Sequence, residues 1–98
     1  MTILRMLDTA TAHITRADAV ALDTDEAAMI VYPKGEYGWF LPLPGSDTDL
    51  QDRIDAARQA GMSRSFTNLI SYAYSAGCHW LCLDRDADPV PGLPTHDW

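Results

Sequence analysis

The sequence predicts an α+β domain, a three-stranded, mainly antiparallel β-sheet with about three α-helices packed on one face. Three observations carry this reading. Two β-prone runs, 27–33 and 37–43, flank the turn signal Pro33-Lys34-Gly35-Glu36. Two stretches with apolar residues at helical spacing then follow back to back, beginning near 47 and near 63. Last, an apolar run of strand length, 78–84, comes directly after a helix-ending glycine, Gly77. Helix, strand, strand, helix, helix, strand satisfies mutual burial if the helices cover one side of the sheet.

Each element has a local reason. Thr15 and Asp18 have the spacing of a capping box, and Ala17, Val20 and Ala21 form one short helical stripe behind it. That helix stops near Asp23, Asp25 and Glu26, whose charges oppose the negative carbonyl end of a last turn. The run "AAMIVYP" (27–33) reads as a strand closed by Pro33, and "YGWFLPL" (37–43) as its hairpin partner. Asp47 or Thr48 is the expected N-cap of the next helix. Leu50, Ile54 and Ala57 form its stripe, and Gly61 stands at its left-handed end. Ser63 or Ser65 restarts a helix that buries Phe66, Leu69, Ile70 and Ala73. Met1 to Leu7 mixes polar and apolar residues, with no basic n-region before a long apolar run, so no secretory signal is expected there. Residues 1–98 read as a single domain with a proline-rich coil tail at 85–98.

Composition limits the function. Fourteen Asp and Glu against seven Lys and Arg give a formal net charge of −7. Duplex nucleic acid and anionic membranes repel such a chain, because binding to them draws on Lys and Arg. No direct nucleic-acid or membrane partner is expected. If Cys78 and Cys82 share a strand they lie ~13 Å apart, too far for a mutual disulfide, and they read as reduced, small apolar residues packed on one strand face of a cytoplasmic protein.

Motifs for chemistry fail one by one. Asp84, Asp86 and Asp88 sit at the first, third and fifth positions of a calcium loop, but Pro89 and Thr95 occupy the places of its glycine and bidentate glutamate. His13, His79 and His96 with the two cysteines lack zinc-ligand spacing. No nucleophile elbow or phosphate-cradling glycine loop is present. The expectation is therefore a non-catalytic protein with no metal and no cofactor.

Charge pattern remains. The acids fall in three groups of four, within 18–26, 47–55 and 84–97. Asp49, Asp52 and Asp55 step by three along the second helix and line one exposed side. One reading is solubility charge. The other is an acidic surface that substitutes for phosphates in a partner's basic groove. On the third helix Thr67, Asn68, Ser71, Ser75 and Tyr72 form an uncharged outer face suited to an interface.

Four stretches, "TATAHI" (9–14), "YGWFLPLP" (37–44), "GCHWLCLDRDA" (77–87) and "GLPTHDW" (92–98), together resemble an uncharacterised family of short acidic bacterial proteins. That family is a domain of unknown function carried on plasmids and integrative elements, with no activity to carry over. Ala87 stands where its pattern carries a glycine. Small acidic proteins in that setting often counter host defence, and anti-CRISPR nucleic-acid mimics share this size and charge, an analogy of class and not of sequence. The expected function is inhibition of a nucleic-acid-binding defence complex, a CRISPR effector in the most concrete form. The expected partner-binding residues are Asp23, Asp25, Glu26, Asp47, Asp49, Asp52, Asp55, Asp84, Asp86 and Asp88, with Tyr72 or Trp98 as apolar anchor. The expected state is a monomer or small homo-oligomer. An accessory interaction module whose charge serves solubility is the alternative, and a small enzyme using His13, His79 or His96 the third reading.

Overall fold

The computed structural model describes every residue, Met1–Trp98, as an α+β fold with one mixed four-stranded sheet. In chain order the elements are β1 (Met6–Ala10), a 3₁₀ turn (Thr11–His13), α1 (Arg16–Asp23), β2 (Tyr32–Pro33), β3 (Gly38–Pro42), α2 (Asp47–Gln59), α3 (Arg64–Ser75) and β4 (Trp80–Asp84). The strands lie in the order β1-β4-β3-β2. β4 is central: it runs parallel to β1, with Met6 opposite Trp80 and Ala10 opposite Asp84, and antiparallel to β3.

This corrects the expected three-stranded antiparallel sheet. β1 is the strand the sequence hides. Its five residues, MLDTA, include one β-branched side chain, and its only partner lies at the other end of the chain, so no local signal marks it. The run 27–33 contributes only Tyr32–Pro33 to the sheet. Asp25 and Ala28 take positive φ, 61° and 59°, which breaks the extended path and turns Ala27 into the core.

Alternation along the strands sorts the two faces of the sheet. Trp39, Leu41, Leu81 and Leu83 join Phe66, Leu69, Ile70 and Ala73 of α3, Ala57 of α2, and Ile14 and Leu22 in one buried core. Each large aliphatic or aromatic side chain there contributes roughly 1.5–3 kcal/mol by leaving water. The α3 stripe is the expected one. Thr67, however, belongs inside: it is buried, and its Oγ1 donates back to the Arg64 carbonyl at 3.1 Å. A threonine returned to its own helix backbone is compatible with burial, which removes it from the uncharged outer face.

Caps fix where the helices start. Thr15 and Asp18 form the expected capping box. Ser46, one residue before the expected Asp47 or Thr48, caps α2 by accepting from the Asp49 amide at 3.2 Å. Ser63 caps α3, accepting from the Phe66 amide at 3.1 Å. Asp18 does more than cap. Its carboxylate, fully buried, also accepts from the Ser63 amide at 2.8 Å and from the Ser63 hydroxyl, so one side chain ties the starts of α1 and α3 together.

Candidate functional site

The parallel pairing of β1 and β4 brings both carboxyl-terminal ends, Ala10 and Asp84, side by side. In open sheets such strand ends are where crevices form. Three segments converge there. The tail is coil, as expected, but it is fastened to the segment after β1. His13, buried, donates through Nδ1–H to the Pro94 carbonyl at 2.8 Å and accepts at Nε2 from the Val90 amide at 2.7 Å. The His96 amide donates to the Ala12 carbonyl at 2.7 Å, and the Trp98 indole N–H to the Ile14 carbonyl at 2.9 Å. On the hairpin side, Gly38 lies so close to β4 that a Cβ would stand 1.6 Å from the Leu83 carbonyl oxygen. Only glycine admits this approach, and the Arg85 amide then donates to the Tyr37 carbonyl at 2.8 Å. One end of each of the quoted stretches 37–44 and 77–87 therefore meets 9–14 and 92–98 at this end of the sheet, while Pro42 and Trp80 pair at the other.

Between them lies a cleft of about 550 Å³, walled by Tyr37, Trp39 and Trp98 and bearing Asp23, Glu36 and Arg85. The Trp39 indole N–H donates to Asp23 Oδ1 at 2.8 Å. The Arg85 guanidinium rests over the Tyr37 ring, 4.8 Å from its centroid. His96, also in the lining, has its Nε2 at 2.9 Å from Ser65 Oγ.

The expected acidic residues divide into distinct places. Asp23, Asp25 and Glu26 are exposed at the end of α1. Asp47, Asp49, Asp52 and Asp55 are exposed along α2, where Asp47 accepts from the Tyr74 hydroxyl at 2.7 Å and Asp55 from the Gln51 amide at 2.9 Å. The Asp47 carboxylate holds the Tyr74 phenol above its usual pKa by keeping its proton. Asp86 and Asp88 are exposed beyond β4. Asp84 is the exception: half-buried, it accepts from Lys34 Nζ at 2.6 Å and from the Asp86 amide at 2.8 Å. Both contacts favour the carboxylate and lower its pKa, and the same pairing raises that of Lys34. Asp84 is thus taken up by the fold and is not free to face a partner. Tyr72 is exposed on α3, apart from the cleft, and Trp98 is 51% exposed beside it.

Of the fourteen acids, only Asp18 is buried and only Asp84 half-buried, and Lys34–Asp84 is the single ion pair in the molecule. The other twelve carboxylates face water without a cationic partner. No three His, Cys, Asp or Glu side chains gather closely enough to hold a metal ion.

The sheet face opposite the helices is a feature the sequence reading missed. Leu4, Met6, Tyr32, Phe40 and Trp80 line an apolar depression of about 370 Å³ on it. Its signal lay in the alternation of Trp80, Cys82 and Asp84 against Leu81 and Leu83, once 78–84 is taken as a strand with two different faces. Cys82 is buried on that side between Asp8 and Lys34, with Lys34 Nζ 3.6 Å from its Sγ. Burial first, then the neighbouring Asp8 carboxylate, pushes its thiol pKa up. Cys78 packs instead against the helix-side core, so the two cysteines do not share a face as expected. Both are free thiols.

No helix is long and apolar enough to cross a membrane. No curated protein and no solved structure matches the chain. Residues 6–98 match the model described as the C-terminal domain of a family of unknown function, DUF5983, and the chain belongs to that family.

Proposed function

We propose that the protein is a non-catalytic binding module that presents carboxylates to the basic groove of a nucleic-acid-binding partner, in the manner of an anti-CRISPR nucleic-acid mimic acting on a defence complex. The observation that carries the reading is the row Asp49, Asp52 and Asp55 on α2, exposed and facing no cation of its own chain. Carboxylates already paired within the fold have little left for a partner, whereas these would meet incoming Lys and Arg with charge-assisted hydrogen bonds. A net charge of −7 adds long-range attraction toward a basic groove. The histidines support a binding role over catalysis, because His13 uses both ring nitrogens to hold the tail and His79 Nδ1 accepts from the Arg5 amide at 3.0 Å.

The test is capture of partners from bacterial lysate at low salt, with elution by a salt gradient and displacement by free DNA. Carboxylate mimicry predicts recovery of a nucleic-acid-binding complex that elutes as salt rises, and loss of that capture when Asp49, Asp52 and Asp55 are all changed to Asn. Retained capture by the triple variant would remove α2 from the interface. A second reading rests on the apolar depression at Leu4, Met6, Tyr32, Phe40 and Trp80, which suits an accessory interaction module whose charge serves solubility alone. A partner held through high salt and lost on Trp80→Ala would favour it.

A further inference from the structure

We infer that the cleft at the carboxyl ends of β1 and β4 receives an arginine side chain of the partner. The inference rests on the basic-partner reading and adds the place where one of its cations seats, at a site separate from the α2 row.

Three features of the cleft select a flat cation. Tyr37, Trp39 and Trp98 give it aromatic wall. The indole N–H groups of Trp39 and Trp98 are already bonded to Asp23 and to the Ile14 carbonyl. Where Trp39 is buried in the core, the exposed Trp98 ring has a π-surface to offer and not a donor. Its charge is net negative: Asp23 and Glu36 outnumber Arg85, and Glu36 has no hydrogen-bond or ion-pair partner in the chain. Finally, the molecule already places one guanidinium on these walls. Arg85 lies on Tyr37 at 4.8 Å without a carboxylate in ion-pair reach, held there by the ring face.

A second guanidinium stacking on Trp98 would donate two parallel N–H···O bonds to the Glu36 carboxylate, which accepts them in fork geometry. An anion would face both acids and the overall charge of −7. A neutral ligand would gain no Coulomb attraction from Glu36. The volume of about 550 Å³ holds a side chain of this length with its first waters.

The experiment is a titration of ¹⁵N-labelled protein with Nα-acetyl-argininamide, following the three indole N–H resonances, with Nα-acetyl-glutamate as the opposite-charge probe. The expected result is a saturable shift of the Trp39 and Trp98 signals, with Trp80, on the open sheet face, unchanged. Glu36→Gln then weakens binding about threefold and Arg85→Gln strengthens it by a similar factor, the scale of one unit charge several ångströms away in a water-like dielectric. The opposite signs separate an arginine site from an anion site. Shifts that do not saturate, or saturation by the glutamate probe that Arg85→Gln abolishes, would overturn the inference. Because the probe is free arginine, failure here leaves salt-sensitive capture by α2 standing. Saturation without any captured partner would instead retire the larger reading and keep the cleft.

Discussion

Asp18 and the α2 row carry the same functional group in opposite circumstances. Asp18 is buried where α1 and α3 begin, and its two oxygens accept from Thr15, from the Ser63 amide and from the Ser63 hydroxyl. Asp49, Asp52 and Asp55 stand in water on the outer side of α2. A buried carboxylate persists only if donors replace its lost hydration, so Asp18 is committed to the fold. Exposed ones need no such replacement and remain available. Position in the structure, and not residue type, decides which acids can serve a partner.

The sharpest break of this contrast is Asp18→Asn. The change is nearly isosteric, yet it turns one acceptor oxygen into a donor that must face the Thr15 or Ser63 amide. Leaving a buried donor unmatched at a doubly used cap costs roughly 2–4 kcal/mol, read as a lower midpoint in urea unfolding. An unchanged midpoint would show that the junction of α1 and α3 does not depend on this carboxylate. His13→Ala comes next, at about 2–3 kcal/mol, because it leaves the Pro94 carbonyl and Val90 amide unmatched and opens a cavity. It also loosens the tail, so the Trp98 indole N–H resonance should shift toward that of a fully solvated indole before global unfolding.

Lys34–Asp84 gives a smaller effect, visible through pH. Asp84 has a depressed pKa in the fold, so its contribution is fully present above the unfolded aspartate value of about 3.9 and is lost as pH falls through the lower folded value. Lys34 has a raised pKa, so its contribution is present below about 10.4 and is lost as pH rises through the higher folded value. Between these limits the pair is constant. Lys34→Met should therefore flatten both the acid and the alkaline flanks of a stability–pH curve relative to the parent. Identical flanks would show that the pair is only a surface contact.

What the sequence made legible follows the range of the interactions. The α3 stripe, the Thr15–Asp18 box and the glycines at 61 and 77 depend on neighbours a few residues away, and they stand where expected. β1 depends on pairing with β4 at the far end of the chain, and the pattern of five residues does not announce it. The cleft was invisible for the same reason: Asp23, Glu36, Arg85 and Trp98 come from four separate segments. Asp18 was half legible. Its capping role is written in the spacing, but its bonds to Ser63 join two helices that the sequence gives no reason to place together. The acidic groups were seen as groups, and the fold then withdrew Asp84 from them through a lysine that stands in the hairpin turn.

The smallest expected effect on stability is that of the variant with the largest expected effect on binding. Asp49 lies in the first turn of α2, where a negative charge is favoured by about 0.3–1 kcal/mol, while Asp55 lies before the last turn, where the field of the helix end has faded. Asp52 stands between. Exchanging all three for Asn loses the favourable term at Asp49 but relieves repulsion along a row spaced three residues apart, so the net change should be within about 0.5 kcal/mol and the thermal midpoint within a few degrees. Thermal unfolding followed by circular dichroism measures this directly. A midpoint held steady beside lost capture assigns the row to a partner. A midpoint that falls as far as that of Asp18→Asn would mean that these acids, too, belong to the fold, and the contrast between the two regions would collapse.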